Sequence, residues 1–154
     1  MDISGLVLVG FVFVHMSGNL QVFVGQAQIN SYAHSLQSLP WFVLWGSRLF
    51  LLASILIHAW TAYSLIVENR KARPIKNEVE VTKRAGWSSL KMGLTGTIIL
   101  AFVVFHLLHF TVRTIYPEYA AMTTTVGSPE GEEIHDAFAM NIAGFKHEVI
   151  AVFY

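Results

Sequence analysis

The sequence contains no cysteine. This excludes disulfides, Cys-ligated iron–sulfur clusters and thioether-attached haem, so any redox group here is held by other ligands. Charge is also scarce. Lys, Arg, Asp and Glu make up 13% of 154 residues against 54% hydrophobic, where soluble proteins average roughly a quarter charged. The composition is that of an integral membrane protein forming one domain, 1–154, and no nucleic-acid partner is expected. The start, MDISGLVLVG, has neither the basic lead-in of a signal peptide nor a small-residue cleavage site, and it reads as a first span. Basic residues are absent from two of the three connections between apolar runs, 25–39 and 117–136.

What is present is a set of long apolar runs, too long for strands. They predict an all-α transmembrane helical bundle with spans at about 3–24, 41–67 and 87–116. An incomplete fourth begins near Ala137 and is interrupted by Lys146, His147 and Glu148. The second run is the longest. Its 27 residues, Trp41 to Val67, would extend ~40 Å as a helix, enough to cross ~30 Å of hydrocarbon with tilt. Gly5, Gly10 and Gly18 in the first run offer close helix approach, and Trp87 and Tyr116 suit the interfaces of the third. Arg70, Lys71, Arg73, Lys76, Lys83, Arg84 and Lys91 crowd the connection after the second run. The positive-inside rule makes that loop cytoplasmic and the two other connections external.

Ionisable residues inside apolar runs are expensive in lipid and mark sites. His15 lies nine residues before Val24 and His106 ten before Tyr116, each ~14 Å from the expected outer helix end. His58 lies nine before Val67, ~14 Å from the inner end. Two outer histidines at one depth on separate helices can clamp a haem iron, with His58 holding a second haem nearer the cytoplasm. The other reading of each is a packing hydrogen bond to a neighbouring helix. His109, three residues after His106, is either a packing residue or a propionate contact, and Arg48 either snorkels outward or binds a propionate. His34 and His135 read as solvated. His147 is a poor ligand candidate at the outer entry of the fourth stretch.

The segments HMSGNLQVFVG (15–25), NSYAHSLQSLP (30–40), HAWTAYSLIVENRKARP (58–74) and FHLLHFT (105–111) resemble the dihaem cytochrome b membrane-anchor subunit of succinate dehydrogenase and fumarate reductase, over nearly the whole chain. The resemblance implies a five-helix anchor in the bacterial inner membrane with two haems b. It would relay electrons between a quinone and an iron–sulfur subunit, itself attached to a flavoprotein subunit. The family's first-, second- and third-helix ligands match His15, His58 and His106, with the first and third sharing the outer haem. The fourth-helix ligand and the fifth helix have no counterpart, so the chain is expected to lack the family's C-terminal part or to be completed by another chain. No dicarboxylate active site is expected here, and Asn30, Tyr32 and His34 either line the quinone site or belong to an interfacial anchor, the favoured reading. The alternatives are a haem-free anchor for soluble subunits, or a small transporter or proton relay using His58, Arg48 and His106.

Overall fold

The computed structural model describes residues 2–72 and 91–154. Arg73, Lys76, Lys83 and Arg84 of the basic connection, and the expected start of the third span at Trp87, lie outside the described residues. The chain is an all-α transmembrane helical bundle. Helix α1 (Asp2–Asn19) runs into a 3₁₀ turn, Leu20–Phe23. It is followed by α2 (Gln26–Gln37), α3 (Trp41–Ala72) and α4 (Met92–His106), and α4 passes into a π turn at Leu107–Thr111. Three segments are long and apolar enough to cross a membrane: Ile3–Phe23, Trp41–Ala72 and Met92–Thr111. Only 6% of each is buried within the chain. In hydrocarbon a backbone must satisfy its own polar groups, and a helix does so without a partner segment, so these runs are helical however little they pack.

Two ends differ from what the hydrophobic pattern predicts. Helix α3 continues beyond Val67 to Ala72, because Glu, Asn, Arg and Lys in its last turns carry no helix-breaking feature and the basic pair Arg70 and Lys71 suits a helix C-terminus. The third span stops at Thr111 rather than Tyr116. Its last turn widens so that Val112 N donates to Leu107 O at 2.7 Å, and Arg113 then takes the left-handed conformation, φ 61°, which a helix cannot contain.

Opposite the Arg70–Lys71 end of α3 the connections build a cap. The polar connection 25–39 is mostly helix α2, and its buried residues are Ile29 and Asn30. Over it folds a 3₁₀ turn, Pro117–Ala121, and a two-residue antiparallel ladder of β1 (Thr123–Thr124) and β2 (Ile134–His135). The fourth apolar stretch becomes α5 (Ala137–Lys146) and α6 (Glu148–Phe153), separated by extended backbone at His147.

Asn30 and Asp136 tie the cap together. Asn30 Nδ2 donates to Asp136 Oδ1 (3.1 Å) and to Val126 O (3.3 Å), while its Oδ1 accepts from Phe138 N (3.0 Å). Asp136 caps α5 by accepting from Ala139 N and also takes Gln26 Nε2 at 2.9 Å. Below this clasp the Tyr32 hydroxyl lies where a Cβ on Gly18 would stand, so α2 can close on α1 only because residue 18 has no side chain.

Candidate functional site

His15 and His106 meet. Their ring centroids are 5.9 Å apart and the rings stand edge to face at 89°, although His106 is five residues from the end of its span at Thr111 and not ten. Each ring is stacked by a phenylalanine one turn earlier on its own helix, Phe11 on His15 at 5.2 Å and Phe102 on His106 at 5.9 Å. Residues four apart share a helix face, so the paired spacing F-x-x-x-H was a readable signal that two similar sites face one another. Sequence reasoning missed it.

The tautomer of His15 follows from its neighbour. Asn19 Nδ2 donates to His15 O at 2.8 Å and lies 3.0 Å from His15 Nε2. An amide nitrogen only donates, so Nε2 is the acceptor and the ring hydrogen is on Nδ1. That is the form in which an imidazole binds a metal through Nε2.

His58 stands apart from this pair. Its Nδ1 is 3.3 Å from Ser4 Oγ, and its ring lies against Gly5, ten residues before His15 and so ~15 Å away along α1. Arg48 is exposed and holds its guanidinium 5.2 Å over the Trp45 ring, a cation–π contact.

His109 is fully buried. It lies in the π turn with its ring 4.0 Å from Phe110 and between 5.5 and 5.8 Å from Phe105, Tyr116, Tyr119 and Tyr154. Its Nδ1 is 3.2 Å from the Tyr154 hydroxyl, which is also 3.3 Å from His106 Nδ1, and its Nε2 has no partner. Burial pushes the Tyr154 phenol up to about 12, so it keeps its hydrogen at neutral pH. A Cβ on Gly144 would stand 3.0 Å from Phe110 and 3.2 Å from His109, which fixes α5 against the π turn. Tyr154 lies 48 and 45 residues from its two partners, and no local pattern announces it.

The readings of four residues are corrected or narrowed. His135 is not solvated: both its ring nitrogens are buried without a hydrogen-bond partner. Its place on β2 beneath the clasp causes this, and burial lowers its pKa from 6.5, with the nearby Arg113 charge adding to the effect. Asn30 is fully buried and committed to the clasp, which removes it from any quinone-lining set. His147 is exposed between α5 and α6 and stacks on Tyr116 at 4.9 Å. His34 is half-buried and bonds within its own helix to Ser38.

Among the described residues no group of three or more His, Cys, Asp or Glu is gathered for a metal ion. His15 and His106 could hold an iron between them, each turning one ring nitrogen to it from the present edge-to-face contact. His15 is exposed, and the exposed Asn19 amide stands at its Nε2. No family model, curated protein or solved structure matches the chain.

Proposed function

We propose that this chain is a haem b-binding membrane-anchor subunit of succinate dehydrogenase or fumarate reductase, relaying electrons between a quinone and an iron–sulfur subunit. The observation that carries the reading is the contact of His15 and His106 across two spans, with His58 a further ~15 Å along α1. His15 and His106 would hold one haem from its two sides. His58 would hold a second, nearer the basic end of α3, its other ligand coming from outside the residues described. Haem supplies a reversible one-electron change at its iron.

The chain's own residues do the rest. The apolar spans exclude water, and Phe11 and Phe102 fix the planes of the two ligating rings. Arg48 offers a cation to a propionate, and the Arg70–Lys91 connection offers an inward, basic surface on which the iron–sulfur subunit docks. No residue set for dicarboxylate chemistry is assigned here, and that reaction belongs to the flavoprotein subunit.

A reduced-minus-oxidised visible spectrum of the complete complex tests this. His15→Leu and His106→Leu should each abolish the same low-spin haem signal, and His58→Leu a different one. If His15→Leu and His58→Leu remove the same signal, the pairing is wrong. A colourless chain that still assembles with soluble subunits would establish the second reading, a haem-free anchor. That alternative is favoured by the His58–Ser4 hydrogen bond, which gives His58 a packing role without any haem.

A further inference from the structure

The Tyr154 hydroxyl lies between two imidazole nitrogens, His106 Nδ1 and His109 Nδ1. A phenol has one hydrogen to donate and two lone pairs, and no other hydrogen bond of this hydroxyl is seen among the described residues. Donation to one ring leaves the other to donate its own Nδ1–H to the phenol oxygen. The two neutral rings are therefore forced into opposite tautomers.

The surroundings of His109 decide which ring takes which form. Its Nε2 is buried with no conventional partner, inside a cage of Phe105, Phe110, Tyr116 and Tyr119 rings. Electron-rich rings around an imidazole nitrogen that has no other partner favour an N–H there over a lone pair. This selects the arrangement in which His109 carries its hydrogen on Nε2 and accepts the phenol hydrogen at Nδ1. His106 then donates Nδ1–H to Tyr154, and its Nε2 is a bare lone pair. We propose that Tyr154 is a positioning residue that, with His109 as its acceptor, locks His106 in the tautomer that presents Nε2 to a metal. The tautomer lock stands on the hydrogen bonds alone; its use in holding haem rests on the function proposed above.

The test is ¹⁵N-histidine NMR of the full chain in detergent, before any haem is added, because the nitrogen shifts read the tautomer directly. His106 should be Nδ1–H and His109 Nε2–H. In His109→Leu the phenol loses its acceptor and turns to His106 Nδ1, so His106 should switch to Nε2–H. His109→Gln, whose carbonyl accepts in the same direction, should restore the native form, and Tyr154→Phe should leave His106 as a mixture with the ring packing kept.

Haem titration of the same variants gives a second readout, with affinity lowered roughly 10- to 100-fold in His109→Leu, by only a few-fold in Tyr154→Phe, and recovered in His109→Gln. An Nε2–H His106 in the native chain overturns the proposal, as does a His106 tautomer that stays Nδ1–H in both His109→Leu and Tyr154→Phe. A native chain that takes up no haem while showing the expected tautomers overturns the function proposed above and leaves the lock established.

Discussion

Asn30 and Asp136 are buried in the cap, and their amide and carboxylate groups meet partners on α2, α5 and the chain between. Ser54 and His109 are buried in the spans, where Ser54 returns its hydrogen to Phe50 O on its own helix and His109 leaves Nε2 unpaired. The cap is held by polar groups that reach across the chain, and its apolar core is small: Ile29, Tyr119, Ile134, Ala137, Met140 and Ile150. The spans hold themselves by local backbone bonds and leave most of their apolar surface uncovered by the chain. A satisfied network fixes one geometry, whereas a helix in lipid needs no neighbour to persist. The cap ties α2 to α5 across the chain, while α1 and α3 pack on each other directly.

The largest test of that contrast is Asp136→Ala. It leaves Gln26 Nε2, Ala139 N and one hydrogen bond of Asn30 without their acceptor, a loss on the order of 3–5 kcal/mol. Hydrogen exchange should then rise across 26–37 and 117–146 while Trp41–Ala72 stays protected. Equal deprotection of the spans would mean that they depend on the cap for more than position.

A smaller effect is expected at Gly18→Ala, where the new Cβ meets the Tyr32 ring. Overpacking of this kind costs about 1–3 kcal/mol, and Tyr32→Ala in the same chain should recover most of it. A double-mutant thermal series measures the coupling, and simple additivity of the two changes would show that α2 is not seated on α1 by this contact.

The smallest effect concerns pH. Burial holds His135 below its usual 6.5 in the folded cap, so folding favours the neutral ring. That stabilisation is complete above the unfolded value of 6.5 and is lost as pH falls through the lower folded value. Exchange protection of the β1–β2 ladder should fall on acidification, and His135→Phe should flatten the profile. An unchanged acid response in His135→Phe would place the sensitivity in another group.

The spans were legible because apolar length alone specifies a membrane helix. The count that paired His15 with His106 ran to an expected end at Tyr116; from the actual ends His106 lies five residues before Thr111 and His15 eight before Phe23. The outer end of the third span was not legible. Nothing in FHLLHFTVR marks a π turn or a left-handed Arg113, since both depend on how α5 and the cap press on the turn. Helix α2 was read as a polar connection, because Gln, Asn, Ser and His at its positions show no apolar period. It is seated by Asn30, whose partners Asp136 and Phe138 lie more than a hundred residues away. Tyr154 was invisible because its partners lie 48 and 45 residues away, and His135 was assigned to solvent because a lone histidine in an acidic connection gives no hint of the ladder it joins.

The π turn at Leu107–Thr111 has the geometry of a one-residue insertion into an α-helix, and it turns everything after it by about 100° relative to an uninterrupted helix. Deleting Leu108 should restore the α-helix without removing any polar group. It would carry His109 out of its aromatic cage and away from Tyr154 while His106, upstream of the insertion, stays beside His15. The two histidines of FHLLHFT are thus addressed separately, one by the helix and the other by the extra residue within it.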